Sequence, residues 1–168
     1  MAIADDLRMI AKQERKLVFT KFDEADAWQL GHFLREWGHT NRAPIAIDVR
    51  TFNRPLFFCA LSGSTPDNIE WIRRKYNVAE RYRRSSYAIG LEMTAKDTTL
   101  EERYGLPLLD YASSGGSFPI TLDKTGMVGS VTVSGLEQRK DHMLVIGAIC
   151  AALELDVEHY IFEEDKDI

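Results

Sequence analysis

The stretch YASSGGSFPITLDKTGMVGSVTVSG, residues 111–135, has the densest glycine content of this chain and decides how its sheet is built. Two apolar runs, residues 117–122 and 127–134, flank the tetrapeptide 123–126. Strand-length runs separated by a short glycine-containing segment are typical of a β-hairpin, because glycine supplies the positive φ that a tight turn needs. The stretch therefore predicts two antiparallel strands that turn at Gly126.

A phosphate-binding loop is the alternative interpretation of the same glycines. A P-loop requires glycine immediately before Lys-Ser/Thr, whereas Asp123 precedes Lys124 here. A dinucleotide-binding turn leads into a helix, and residues 117–119 do not begin one. The hairpin is therefore favoured. Gly115 and Gly116 either form a simple bend, which is the favoured interpretation, or allow a ligand to approach the backbone.

Patterns outside this stretch predict three more strands and five helices. β-branched, aromatic or alternating runs predict strands at residues 16–22, 44–52 and 56–62, of which the last two form a second hairpin. Helices are predicted over residues 3–14, 23–38, 64–77, 85–93 and 134–155. Strands joined in hairpins form an antiparallel sheet, so we expect an α+β fold with five antiparallel strands and helices packed on the faces of the sheet.

Capping residues mark where several helices begin. Asp23 is expected to cap the second helix, with Asp26 three residues further on. Thr65 is a favourable N-cap, and Pro66 suits the first helical position because its missing N–H would have no partner there. Residues 134–137 read as a capping box that opens the last helix.

The composition is that of an ordinary globular protein of 168 residues, 45% hydrophobic and 28% charged. Its formal net charge of −5 disfavours general nucleic-acid binding. Asp5 and Asp6 stand where a signal peptide would be basic and then apolar. The longest uncharged apolar run, residues 143–153, is far shorter than the ~20 residues that span a bilayer. We expect a cytoplasmic protein without membrane partners, whose Cys59 and Cys150 are free, buried thiols.

The last predicted helix is apolar or small at every position from Met143 to Leu153. A helix at the surface of a protein shows a polar face, so this helix must be covered on most sides. Either the sheet and another helix of the same chain enclose it, or a neighbouring subunit does. The second possibility is favoured, which predicts a homo-oligomer.

Candidate binding groups are concentrated in one basic segment. Its cations are Arg73, Arg74, Lys75, Arg81, Arg83 and Arg84. They either form a solvated helix face paired with acids, which is favoured, or an anion site to which Ser85 and Ser86 contribute; one of these serines is also expected to cap the fourth helix. No zinc-type spacing occurs among the histidines, so no metal site is expected. His32 and His142 are expected to be ordinary histidines, with an axial heme donor as the alternative.

Three segments carry a resemblance to a known family. They are GGSFPI (115–120), GMVGSVTVSG (126–135) and LSGSTPDNIEWIRRKYN (61–77), the last followed by SSYAIG. Together with the alanine-rich last helix, they resemble the HbpS- and GlcG-like proteins, often labelled the heme-degrading-domain family. The third segment is similar to one uncharacterised branch of that family.

The resemblance implies a profilin-like fold with a five-stranded antiparallel sheet, assembled into homo-oligomers. A single domain over residues 1–168 is expected from the chain length, and its tail at 162–168 is charged. The resemblance covers a core at about 15–155. It also implies heme, or another planar carboxylated molecule, as the ligand. Heme degradation is implied by the resemblance alone, because no nucleophile or acid–base pair stands out in the sequence.

The expected binding site combines aromatic stacking with pairing between guanidinium and carboxylate groups. Its residues are Trp71, Arg73, Arg74, Ser85, Ser86, Gly115 and Gly116. No heme ligand of the family can be placed on a residue of this chain. The alternative function is a non-catalytic, oligomeric adaptor protein in which the same residues make contacts between subunits.

Overall fold

An antiparallel sheet with helices on both faces organises the chain, and the computed structural model describes residues 2–163 of it. The strands are β1 (Ala46–Thr51), β2 (Arg54–Ala60), β3 (Ser117–Leu122) and β4 (Gly126–Ser134), in the spatial order β2-β1-β4-β3. The helices are α1 (Ala2–Lys16), α2 (Glu24–Thr40), α3 (Pro66–Tyr82), α4 (Ser86–Ala95), α5 (Leu100–Tyr104) and α6 (Gln138–Ala152), followed by a 3₁₀-helix at Val157–His159. The α+β class is confirmed.

Both predicted hairpins are present. Strands β3 and β4 pair antiparallel on either side of a tight turn, in which Lys124 has a φ of 65° and Gly126 a φ of 96°. Strands β1 and β2 form the second hairpin, and β1 also pairs antiparallel with β4. The glycine-rich stretch is therefore a sheet edge and its turn, not a phosphate-binding loop.

The predicted strand at residues 16–22 is wrong, so the sheet has four strands among the described residues instead of five. Helix α1 runs on through Lys16, and Asp23 already caps α2, which leaves six residues between them. Phe19 makes a single parallel bridge to Leu122 there. The apolar residues of this run do not indicate a strand. Leu17 and Phe19 are buried because they pack into the hydrophobic core.

One face of the sheet is apolar. Alternate residues of the strands point to it, among them Ile47, Val49, Phe118, Val131 and Val133. All are buried in one cluster with residues of α2 and α6. The free thiol of Cys150 is buried in the same cluster as predicted, whereas Cys59 packs against it and is only partly buried, because it lies on the edge strand β2.

Helix α6 lies inside the chain. It packs against α2, α4, β3 and β4, and Leu144, Val145, Ile146 and Ile149 are buried. The apolar run therefore makes a central core helix, the alternative that the sequence left open, and the run gives no reason for a covering subunit. The helix begins after the N-cap Glu137 rather than at a capping box on Ser134–Glu137.

The other predicted helix starts are confirmed. Asp23 and Asp26 form a capping box at α2. Thr65 is the N-cap of α3, and the Asn68 side chain accepts a hydrogen bond from the Thr65 N–H. Ser85, not Ser86, caps α4.

The core extends further toward both ends than residues 15–155. Ile10 is buried in α1, and Phe162 is buried beside Tyr87 and His142, so Phe162 does not belong to a solvated tail. Residues 164–168 of the predicted tail lie outside the described residues. None of the helices in residues 2–163 is long and apolar enough to cross a membrane.

Candidate functional site

The second face of the sheet is polar although it is buried. Asp48, Ser117, Ser130 and Thr132 alternate with the apolar residues described above, and α3 covers them. The Ser117 and Thr132 hydroxyls hydrogen-bond to each other at 2.8 Å. The Asp48 carboxylate accepts two hydrogen bonds from Arg50, at 2.6 and 2.8 Å. Strict alternation thus places buried polar groups opposite the hydrophobic core.

A cavity of about 350 Å³ opens where α3, the end of β4 and the start of α6 meet. Hydroxyl and amide side chains make up much of its wall, namely those of Thr65, Asn68, Ser114, Ser134 and Gln138. Trp71 and Asp67 also line it, and the Trp71 indole N–H donates to the Asp67 carboxylate at 3.1 Å. The deepest lining groups are Lys75 and Asp141, which are 3% and 1% exposed.

Lys75 and Asp141 form a buried ion pair. The Lys75 Nζ donates to Asp141 Oδ2 at 2.9 Å and to the Val133 carbonyl at 3.2 Å. The carboxylate also accepts hydrogen bonds from the N–H groups of Gly135 and Leu136. Burial lowers the pKa of Lys75 and raises the pKa of Asp141, while the attraction between the two charges opposes both shifts. Burial therefore favours the neutral form of each partner, the amine of Lys75 and the carboxylic acid of Asp141.

The Gly115–Gly116 turn makes room for this pair. Gly116 has a φ of 132°, and a Cβ on it would come within 2.3 Å of the Val133 carbonyl oxygen and 2.8 Å of Lys75 Nζ. A Cβ on Gly115 would meet the Gln138 carbonyl oxygen at 2.1 Å. Both glycines thus permit close packing behind the cavity, and neither presents open backbone at this point.

Of the expected site residues, Trp71 lines the cavity and the two arginines do not. Arg74 stacks on the Trp71 ring, with its guanidinium carbon 4.1 Å from the ring centroid. Arg73 donates to the carboxylate of Asp110 at 3.0 Å and to the carbonyl of Leu109 at 2.8 Å. The two arginines therefore hold the segment 105–112 against α3.

Ser85 and Ser86 are fully buried. The Ser85 hydroxyl caps α4 by accepting from the Ala88 N–H. The Ser86 hydroxyl donates to the Ser114 carbonyl at 2.6 Å and accepts from the Ser117 N–H at 3.1 Å. Ser86 thus fixes the backbone of Ser114, which lines the cavity. Neither Ser85 nor Ser86 is itself a lining residue.

Sequence reasoning missed the pair at the base of the cavity. Lys75 was grouped with the basic helix face, and Asp141 was not singled out. One signal was present, because Ile72, Lys75, Tyr76 and Ala79 share the buried stripe of α3 at helical spacing. A lysine in such a stripe indicates a buried charge that needs a partner.

The histidines lie away from this cavity. His142 is fully buried, and its Nε2 is 2.8 Å from Gln13 Oε1. Burial, with Arg139 nearby, lowers the pKa of His142 to about 3, so the ring is neutral. His32 is exposed on α2 and stacks on Trp28. Within residues 2–163 no cluster of three or more His, Cys, Asp or Glu side chains could hold a metal ion.

Helix α2 presents an aromatic surface, which we call the α2 surface and define as Trp28, His32, Phe33 and Trp37. Trp28 is 63% exposed, and the other three surround an apolar groove of about 530 Å³. Gly38, next to Trp37 in sequence, lies on the buried side of this helix. The polar cavity beside Trp71 and the apolar α2 surface are therefore both candidate recognition regions, and the α2 surface is the more open of the two.

The fold and the cavity define a class: an α+β domain that holds a small polar cavity between a helix and one face of an antiparallel sheet. The family model described as "Haem degrading protein HbpS-like" matches residues 22–150, and the chain belongs to this family. A UPF0303 protein of Paraburkholderia xenovorans is 54% identical over 93% of this chain and 94% of its own length.

Solved structures agree with this assignment. The crystal structure of the Ybr137w protein is similar, with a TM-score of 0.81 and 31% identity over 88% of both chains. A PduOC:heme complex shares the fold, with a TM-score of 0.65 and 14% identity over 80% of this chain and 96% of its own. The resemblance seen in the sequence is thereby confirmed at the level of family and fold.

Proposed function

We propose that this protein binds a small, polar ligand of no net charge in the cavity beside Trp71, which we call the Trp71 cavity. The observation that carries the proposal is the combination of an open cleft lined by convergent hydrogen-bonding groups with a buried Lys75–Asp141 pair. Clefts with a few converging polar groups and perturbed titratable residues are the usual places of ligand binding.

The charges of the lining set the ligand class. Lys75 and Asp141 compensate each other, and Asp67 adds one carboxylate, so the lining does not attract an anion. Arg73 and Arg74, the expected anion partners, hold the segment 105–112 instead. A ligand with hydroxyl, amide or carbonyl groups would match the hydroxyl and amide wall better than a carboxylated ligand.

The volume limits the ligand size. Small-molecule sites range over roughly 300–1,000 Å³, and about 350 Å³ lies at the small end of that range. The Trp71 cavity therefore suits a small molecule rather than a large cofactor, with the indole ring as an apolar contact.

The test is thermal stabilisation by matched small molecules, since a ligand that binds only the native state raises the melting temperature. Glycerol and erythritol are compared with glycerate, which adds a carboxylate. We expect the neutral polyols to stabilise the wild type more than glycerate does, and Trp71→Ala to lose this effect. Trp37→Ala, on the α2 surface, is the control that should keep it. Equal responses of the two variants would refute the site.

Heme is a second candidate ligand, favoured by the PduOC:heme structure among the neighbours. The lining of the Trp71 cavity contains no histidine, whereas the larger apolar groove of the α2 surface includes His32. We infer that heme, where it binds, lies at the α2 surface with His32 as an axial donor. Hemin titration followed by the Soret band should then show weaker binding for His32→Ala and unchanged binding for Trp71→Ala. The reverse pattern would place heme in the Trp71 cavity.

A homo-oligomeric adaptor is the third candidate, and the exposed aromatic residues favour it. Trp28, Phe33 and Trp37 are all exposed on α2. Large exposed apolar patches are typical of association sites. We expect Trp37→Glu to lower the molar mass measured by light scattering. Leu109→Glu, on the exposed segment 105–112, is the matched control that should leave it unchanged. An unchanged mass for Trp37→Glu would rule out this surface.

A further inference from the structure

We propose that Lys75 is a nucleophile that forms a reversible imine with a small hydroxyaldehyde or hydroxyketone in the Trp71 cavity, with Asp141 carrying the proton. The inference rests on the proposed function, because it names the reactive class within the ligands that this cavity would take. The proposed function requires only noncovalent binding, whereas this inference adds a covalent bond between Lys75 and the ligand.

The position of the amine is the first support. Lys75 is one of the lining residues of the cavity, and two protein acceptors hold its Nζ at fixed distances, Asp141 Oδ2 at 2.9 Å and the Val133 carbonyl oxygen at 3.2 Å. An amine on a flexible four-carbon stem is thereby fixed in place. Such positioning converts an encounter between amine and carbonyl into a reaction inside one site.

The protonation of the amine is the second support. Only a neutral amine attacks a carbonyl carbon, and lysines become nucleophilic when they are desolvated. Lys75 is 3% exposed, and a carboxylate lies within hydrogen-bond distance to accept its proton. Transfer of that proton gives Lys75–NH₂ and Asp141–COOH, and the net charge of the pair does not change.

The other buried ion pair on the polar face of the sheet provides a contrast. Asp48 and Arg50 are paired at 2.6 Å, but a guanidinium does not lose its proton in proteins. The other lysines among the described residues are exposed or half-buried; Lys21, for example, is exposed, and its hydrogen bond to the Asp23 carboxylate raises its pKa. Among the described residues, Lys75 is therefore the amine that is both enclosed and supplied with a proton acceptor.

The reaction balances without an oxidant or reductant. The nitrogen lone pair of Lys75 forms a C–N bond to the carbonyl carbon, and the π electrons of the C=O bond move to oxygen. Asp141 returns the first proton to that oxygen and accepts a second one from nitrogen, which gives a neutral carbinolamine. Protonation of the hydroxyl by Asp141 then releases water as the C=N bond forms. The products are one water and a protonated imine on Lys75 that pairs with the Asp141 carboxylate, so the net charge of the pair does not change, and hydrolysis reverses the sequence.

The test is reductive trapping of the full-length protein with D-glyceraldehyde and sodium cyanoborohydride at neutral pH. Intact-mass spectrometry should show one adduct per chain before slower labelling begins, and peptide mapping should place it on Lys75. Lys75→Arg, which keeps a cation beside Asp141, should lose this first adduct. Asp141→Asn should slow trapping by about 100-fold, the usual effect of removing a general acid–base group. A first adduct on exposed lysines, with Lys75 unmodified, would overturn the inference.

Glycerol separates this inference from the proposed function. Glycerol has the same three-carbon skeleton without a carbonyl group, so it can bind but cannot be trapped. Stabilisation by glycerol that depends on Trp71, with no adduct on Lys75, would overturn the imine and leave the binding function intact. Absence of both would refute the two together. The peptide map of the wild type shows whether Lys75 carries the first adduct, and this result stands even where a variant fails to fold.

Discussion

Strands β1 and β4 bury side chains on both faces of the sheet, and the two faces are chemically opposite. Toward α2 and α6, Val131 and Val133 pack among aliphatic and aromatic side chains, while toward α3 the alternate residues Ser130 and Thr132 are polar. Neighbours along one strand therefore serve different purposes. The apolar face supplies the hydrophobic free energy of folding, and the polar face carries buried charges that cost free energy unless they are paired.

The difference between the two faces points to the polar face as the place of the functional site. A buried polar surface has no stabilising advantage over an apolar one, so its retention calls for another role. The Trp71 cavity opens at the polar face of the sheet, and the Lys75–Asp141 pair lies at its base. The following predictions test this division.

The largest effect is expected for Asp141→Leu. It removes the partner of Lys75 and the acceptor of the Gly135 and Leu136 N–H groups. Breaking a buried ion pair from one side costs about 3–5 kcal/mol. Urea unfolding measures this loss.

The double variant Lys75→Met/Asp141→Leu is the control. It should recover much of that loss, because no buried charge is left without a partner. Equal destabilisation by the single and the double variant would show that the two residues are not coupled.

The second prediction concerns how the free energy of unfolding depends on pH. The group responsible is His142, which packs beside Phe118 on the apolar face of the sheet. Its pKa falls from 6.5 to about 3 on folding, so between these values the unfolded chain binds more protons than the native one. The stabilising contribution of neutral His142 is therefore complete above about pH 6.5 and is lost as the pH falls toward 3, by about 1.4 kcal/mol per pH unit.

The measurement compares urea unfolding of the wild type and His142→Gln from pH 7 to pH 4. The variant should lose stability less steeply as the pH falls, and this difference isolates His142 from the carboxyl groups, which titrate in both proteins. Parallel pH profiles would contradict a neutral, buried His142.

The third effect comes from a matched pair on adjacent positions of β4. Val131→Thr places a hydroxyl on the apolar face and should cost about 1–3 kcal/mol, because that hydroxyl has no partner among aliphatic side chains. Thr132→Val removes the partner of the Ser117 hydroxyl on the opposite face and should cost about 1 kcal/mol.

The size and shape of the side chain are conserved in both exchanges, so differences in chemical-denaturation midpoints report the polarity of each face. Adding Ser117→Ala to Thr132→Val should restore part of the loss. Stabilisation by Val131→Thr would contradict the apolar assignment of its face.

The smallest effect is expected for Ser130→Ala. The Ser130 hydroxyl is buried and has no hydrogen-bond partner among the described residues. Its removal should be neutral or raise stability by up to about 1 kcal/mol, since a desolvated hydroxyl costs free energy. Thermal unfolding checks the sign, and a clear loss of stability would reveal a partner for this group.

Local signals made much of the fold predictable. The turn at Gly126 and the Thr65–Pro66 helix start depend on neighbours in sequence, and both are confirmed. The predicted strand at residues 16–22 is wrong because an apolar run that anchors the core looks like one that pairs with a strand. Residues 134–137 have the letters of a capping box, but the Asp141 carboxylate takes the N–H groups of Gly135 and Leu136.

The site was less predictable because it depends on contacts between distant segments. Lys75 and Asp141 are 66 residues apart in the chain, and no local pattern joins them. Arg73 and Arg74 were expected to bind an anion; they hydrogen-bond to the segment 105–112, and anion binding by them stays a prediction. Trp71 was expected in the site and does line the cavity, which leaves its role in binding as a prediction.

The most direct measurement uses the three tryptophans, two on the α2 surface and one in the Trp71 cavity. Their indole N–H resonances can be followed by NMR during a titration with glycerol. A ligand site on the polar face of the sheet predicts that the Trp71 resonance shifts in a saturable way while those of Trp28 and Trp37 stay in place. Shifts confined to Trp28 and Trp37, or the absence of any saturable shift at Trp71, would contradict it.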